Sequence, residues 1–109
     1  MAHDTSEYSV VITTCASQTD AESIIGPLLN DRLAACVQVF QITSYYTWKG
    51  EQAKEGEQIL FIKALTRLYP EIEASIRANH KYETSEIVQL LITAGSSSYF
   101  QWMREVSRT

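Results

Sequence analysis

Residues 8–16, YSVVITTCA, alternate in the manner of a strand: Val11, Thr13 and Cys15 fall on one face, and Val10, Ile12 and Thr14 on the other. The period then changes. Ala21, Ile24, Ile25, Leu28, Leu29 and Leu33 recur at helical intervals behind Thr19, which precedes Glu22 at capping-box spacing, so a helix is predicted over about residues 20–33. Pro27, beside Gly26, predicts a kink in it. Residues 35–48, ACVQVFQITSYYTW, read as a long extended segment in which Phe40, Ile42 and Tyr46 alternate with Val39, Gln41 and Tyr45. WKGE is the turn, with Gly50 its permissive residue, and QAKEGEQILFIKA leads back, with Gly56 expected to mark a bulge. At about 3.3 Å per residue each arm reaches roughly 35–45 Å, more than one small domain covers. Leu68, Ile72 and Ile76 place a second helix over about 67–80, EIVQLLIT supplies a fourth strand, and SSSYFQWMREVSR reads as an amphipathic helix carrying Tyr99, Trp102, Met103 and Val106.

The order β-α-β-β-α-β-α is an α+β chain, the ferredoxin-like split βαβ with an added C-terminal helix and a long hairpin between the second and third strands. With 109 residues, 45% of them apolar, the chain suits one domain over residues 1–109, with residues 1–7 expected to be flexible. Thirteen acids against nine bases give a formal charge of −4, so the net field repels phosphate backbones and anionic membranes. Neither a nucleic-acid partner nor a membrane is expected. The start, MAHDTSEYSVVITT, does not read as a secretory signal, and Cys15 and Cys36, the only cysteines, read as reduced thiols. The expected location is the cytoplasm.

This fold hosts unrelated activities, each of which must be judged at its own site. A metallochaperone loop needs Cys-x-x-Cys, whereas ASQTD follows Cys15. RNA recognition needs exposed aromatics and a basic face, but ILFIK offers only Phe61 on an acidic protein. An acylphosphatase-like anion cradle needs an arginine near the first turn, and TTCASQTD has none. No Ser-His-Asp or Cys-His set is legible, and no catalytic residue is expected.

RLAACVQV, SYYTWKGE, EGEQILFIKA, HKYETSEI and YFQW stand in the order and spacing of the CutA divalent-cation-tolerance family, and the chain resembles that family from Val10 to Trp102. The most specific parts are Ala-Ala-Cys at 34–36, Tyr-x-Trp-x-Gly at 46–50 and His-x-Tyr-x-x-x-Glu at 80–86. The resemblance implies a homotrimer in which the long hairpin arms add to neighbouring sheets and selected side chains gather in clefts between subunits. It also implies a link to copper and other divalent cations, without enzymatic activity. The ligands of copper-binding members, a cysteine near the end of the first strand and two adjacent histidines, correspond here to Thr13 and to Asn79 and His80. Lys81 and Ser85 stand where the family has prolines, and Lys81 would bring positive charge beside His80.

On its residues, His80 is either a helix-ending histidine that satisfies terminal carbonyls or a metal ligand, with Cys15 as a shifted thiolate beside it. Cys15, at a strand end, is either exposed or buried, and Cys36 reads as a small buried hydrophobe. Lys63 interrupts the apolar face of Ile59 and Phe61, so a carboxylate partner from Glu57, Glu83 or Glu86 is expected. It serves either an intersubunit salt bridge or a ligand cleft together with Tyr82, Glu86, Trp48 and Trp102. The leading expectation is a CutA-like trimer in divalent-cation tolerance with weak or absent intrinsic copper binding. Its alternatives are an effector-binding regulator resembling the trimeric nitrogen-signalling proteins, or a stable trimeric scaffold.

Overall fold

The computed structural model describes residues 6–109. The elements are β1 (Tyr8–Cys15), α1 (Gln18–Asn30), β2 (Cys36–Trp48), β3 (Glu51–Leu65), a 3-10 turn (Thr66–Leu68), α2 (Tyr69–Asn79), β4 (Ile87–Leu91) and α3 (Ser97–Val106). All four strands form one antiparallel sheet in the order β2-β3-β1-β4, the split-βαβ arrangement. Of the start expected to be flexible, residues 1–5 lie outside the described residues. Ser6 and Glu7 are tied down: the Ser6 hydroxyl bonds the Tyr8 carbonyl at 3.1 Å, and the Glu7 carbonyl accepts from the Thr66 amide at 2.8 Å.

The sequence places α1 almost correctly but misplaces its ends. Its N-cap is Ser17, whose hydroxyl accepts from the Asp20 amide at 3.1 Å, and not Thr19. Both residues stand three before an acid, and extended backbone at Ser17 decides between them. The helix stops at Asn30 because Arg32 turns left-handed (φ 55°), which lets the Leu33 and Ala34 amides return to the Leu28 carbonyl at 2.9 and 3.2 Å. Pro27 lies inside the helix and withholds one donor, while its carbonyl still accepts from Asp31 at 3.0 Å.

The hairpin turns through Lys49 (φ 51°) and Gly50 (φ 82°), a two-residue connection whose paired positive φ values match strand twist. From there the register runs unbroken from Trp48↔Glu51 to Cys36↔Lys63. Gly56 pairs directly with Thr43, so the expected bulge is absent: a glycine in an exposed arm needs no extra residue to be accommodated. The arm lengthens the molecule, whose radius of gyration is 14.9 Å against about 13 Å for a compact chain of this size.

Helices α1 and α2 cover one face of the sheet. Ile24 and Leu28 of α1 and Ile72 and Ile76 of α2 are buried, as are Val11, Leu60 and Ile62 beneath them. At the end of the sheet where β1 begins, α3 packs Met103 into the core and stacks Phe100 on Tyr8 at 3.9 Å. Tyr99 and Trp102, expected to share that face, point away from the core and remain partly exposed. Strand parity puts Val10, Ile12, Phe40, Ile59, Phe61, Val88 and Leu90 on the opposite face, which no helix or strand among the described residues covers; Phe40, Val88 and Leu90 are 50%, 45% and 54% exposed.

Candidate functional site

The junction after α2 builds the first candidate site. Pairing between β1 and β4 ends at Thr13↔Ile87, and the His80 imidazole meets the next carbonyl, that of Thr14. A carbonyl only accepts, so the His80 Nε2–H donates to it (2.6 Å), while His80 Nδ1 accepts from the Tyr82 amide at 3.1 Å. Both ring nitrogens are thus engaged. The histidine does close the helix, as C-cap in extended conformation, but it reaches across to β1 and not back to its own helix carbonyls. Asn79 bonds the Ser75 carbonyl at 2.8 Å.

Cys15, the other proposed ligand, is buried with 1% exposure, and its thiol lies 3.6 Å from the Ser17 carbonyl. Burial pushes the thiol pKa up, so the group is held protonated, which suits a packed side chain better than a metal thiolate. Thr13 is fully buried, and its hydroxyl has no hydrogen-bond partner among the described residues. Lys81 bonds Asp20 at 2.9 Å, and this hydrogen bond holds the Asp20 carboxyl below its usual range. Among the described residues no group of three or more His, Cys, Asp or Glu side chains is placed to hold a metal ion. The donors present therefore do not fit a closed metal site in this conformation.

Tyr82 continues the junction. Its ring lies 4.8 Å from that of His80, and its hydroxyl donates to Glu57 Oε2 at 2.9 Å. Burial, followed by the Glu57 carboxylate, pushes the phenol far up, so Tyr82 remains a donor at any ordinary pH. Glu57 is itself buried, and Tyr82 supplies the partner its carboxylate requires. Glu57 is therefore not the partner of Lys63, as the sequence suggested; the two lie six residues apart on β3, about 20 Å at about 3.3 Å per residue.

Lys63 occupies a second place, on the open sheet face. Its cross-strand neighbours are Val10 and Cys36, and its ammonium sits 5.7 Å from the centre of the Tyr99 ring, which in turn lies 5.5 Å from Trp102. No carboxylate lies within 4 Å of it among the described residues, contrary to expectation. Trp48 is at the hairpin tip beside Lys49, and Glu86 is exposed just before β4. Within one chain, then, Lys63 and Trp102 are linked through Tyr99, Tyr82 lies at Glu57 in the middle of β3, and Trp48 and Glu86 join neither. The partners missed in the sequence, Thr14 for His80, Asp20 for Lys81 and Tyr82 for Glu57, are all long-range and leave no local signal.

The same chain resembles known proteins over nearly its whole length. The profile of the family described as CutA1 divalent ion tolerance protein matches residues 9–106. The divalent-cation tolerance protein CutA of Thermus thermophilus is 38% identical over 97 residues, covering 88% of this chain and 94% of that protein. Human protein CutA is 35% identical over 102 residues; the match spans 93% of this chain but only 57% of the human protein. Among solved structures, the Thermus thermophilus Cut A1 protein superposes with a TM-score of 0.89 at 36% identity, over 93% of this chain and 99% of that one. CutA1 of Shewanella sp. SIB1, described as a stable protein, gives 0.91 at 32%, over 95% and 98%.

Proposed function

The chain belongs to the CutA1 divalent ion tolerance family, and from that premise we propose that it serves divalent-cation tolerance as a non-enzymatic homotrimer with weak or absent copper binding of its own. The observation that carries the last part is the engagement of both His80 nitrogens beside a buried, protonated Cys15 thiol. To bind copper here the chain must break the His80 bonds to Thr14 and Tyr82 and deprotonate a buried thiol, and each cost subtracts from affinity. The assembly is supported by the open sheet face. Antiparallel sheets that face water carry polar residues on that side, whereas here Phe40, Val88 and Leu90 stand about half exposed beside Val10, Ile12, Ile59 and Phe61, an apolar patch flanked by Gln38 and Lys63 of the kind that marks an interface. Two free thiols favour the cytoplasm, although relatives bear periplasmic and chloroplastic names, and fractionation of the producing cell decides the point.

Titration of the reduced protein with cuprous and cupric ions tests the copper reading. Wild type should bind weakly, and His80→Ala and Cys15→Ser should abolish what there is. Thr13→Cys, which places a thiol where copper-binding members carry theirs, should strengthen binding. Nanomolar affinity that survives both removals contradicts the proposal.

A further inference from the structure

We infer that the Lys63 ammonium is received by the Glu55 carboxylate of a neighbouring copy, so that the hairpin arm of each chain sets its acid against the open sheet face of the next. Lys63 lies on that face between Val10 and Cys36, and no carboxylate stands within 4 Å of it among the described residues. Covering the face removes its water, and a desolvated ammonium requires an anion. The acids of the same parity on β3 are Glu57, Glu55 and Glu51. Glu57 is buried and holds the Tyr82 hydroxyl. Glu55 and Glu51 are exposed on the arm, eight and twelve residues from Lys63, or about 26 and about 40 Å at about 3.3 Å per residue, so neither can reach the lysine of its own chain. The arm runs past the end of β1, where pairing stops at Cys15↔Gln58, and carries both acids clear of the body toward another copy. Of the two, Glu55 accepts a hydrogen bond from the Tyr46 hydroxyl, which orders its carboxylate before contact, whereas Glu51 pairs with Trp48 at the turn beside Lys49. A contact from arm to face joins two different surfaces of one chain; it is heterologous and can close into a ring, as an assembly of three requires.

The inference rests on the homotrimer reading, to which it adds the residue that each neighbour contributes, and it is independent of the copper reading. A charge swap tests it, read by sedimentation of the full chain over a dilution series, with far-ultraviolet circular dichroism to follow folding. Lys63→Glu and Glu55→Lys should each weaken association on the order of a hundredfold, because each sets like charges together in a desolvated contact. The double variant restores an opposite pair at every contact and should recover most of that loss. If Lys63→Glu alone does not fold, adding Glu55→Lys should return the folded assembly. A double variant that associates no better than Lys63→Glu, or recovery by Glu51→Lys or Glu86→Lys in place of Glu55→Lys, overturns the pairing and leaves the assembly standing. A wild type that sediments as single chains removes the assembly reading and the pairing with it.

Discussion

On the helix-covered face of the sheet, Val11, Leu60 and Ile62 are wholly removed from water; on the other face of the same strands, Phe40, Val88 and Leu90 keep about half their surface exposed. The side chains are equally apolar, and only their cover differs. The covered face contains what one chain needs in order to fold, namely two helices, a continuous core and α3 closing one end. The open face has an apolar centre without the cover, and burying the remainder of each such side chain is worth about 1 kcal/mol or more at about 25 cal/mol per Å². Local sequence encodes the first face within the chain, whereas the second finds no cover among the described residues.

The largest effect should come from the covered face. Ile62→Ala removes a fully buried side chain between α1, α2 and the sheet, and should cost about 2–5 kcal/mol in denaturant unfolding. Leu90→Asp is the counterpart on the open face. It should leave the fold of the single chain in place, with unchanged far-ultraviolet circular dichroism, while abolishing association. If it instead unfolds the chain as severely as Ile62→Ala, the distinction between the faces is lost. Thr13→Val acts within the covered face: it replaces a buried, unpartnered hydroxyl by a methyl of the same shape, and should raise stability by about 1 kcal/mol.

Much of this contrast was legible in the sequence. Alternation located β1 to within a residue and assigned its two faces correctly. The length of the hairpin arms and the turn at Lys49 and Gly50 also followed from pattern, because strand period and turn chemistry are local. The errors lie where two local signals compete or where the partner is distant. Ser17 and Thr19 both offered a cap; Gly56 suggested a bulge, although an exposed arm accommodates glycine in plain register. The apolar stripe of α3 reads as Tyr99, Trp102, Met103 and Val106; the core does take Met103, but Phe100, stacked on Tyr8, packs against it in place of Tyr99 and Trp102. At the candidate site the residue types were legible, but the bonds of His80 to Thr14, of Lys81 to Asp20 and of Tyr82 to Glu57 were not, because each spans elements that only the fold brings together.

The smallest effect concerns the tie between Lys81 and Asp20, which fastens the junction to α1 at the solvent boundary. The folded pKa of Asp20 is depressed, so its contribution is present above the unfolded carboxylate value of about 3.9 and is lost as pH falls through the folded value. That of Lys81 is raised, so its contribution disappears only as pH rises beyond the ordinary lysine range. Lys81→Ala should therefore melt slightly below wild type at pH 7, and the gap should close in acid. A gap that widens in acid would show that the pair is not what joins the two elements.

The central claim is that the open face is covered by copies of the same chain. Sedimentation equilibrium of the wild-type protein at micromolar concentration tests it most directly. The account predicts a mass three times that of the 12.3 kDa chain for wild type and a single chain for Leu90→Asp. A wild-type protein that sediments as a stable single chain, with Phe40, Val88 and Leu90 left to water, contradicts it.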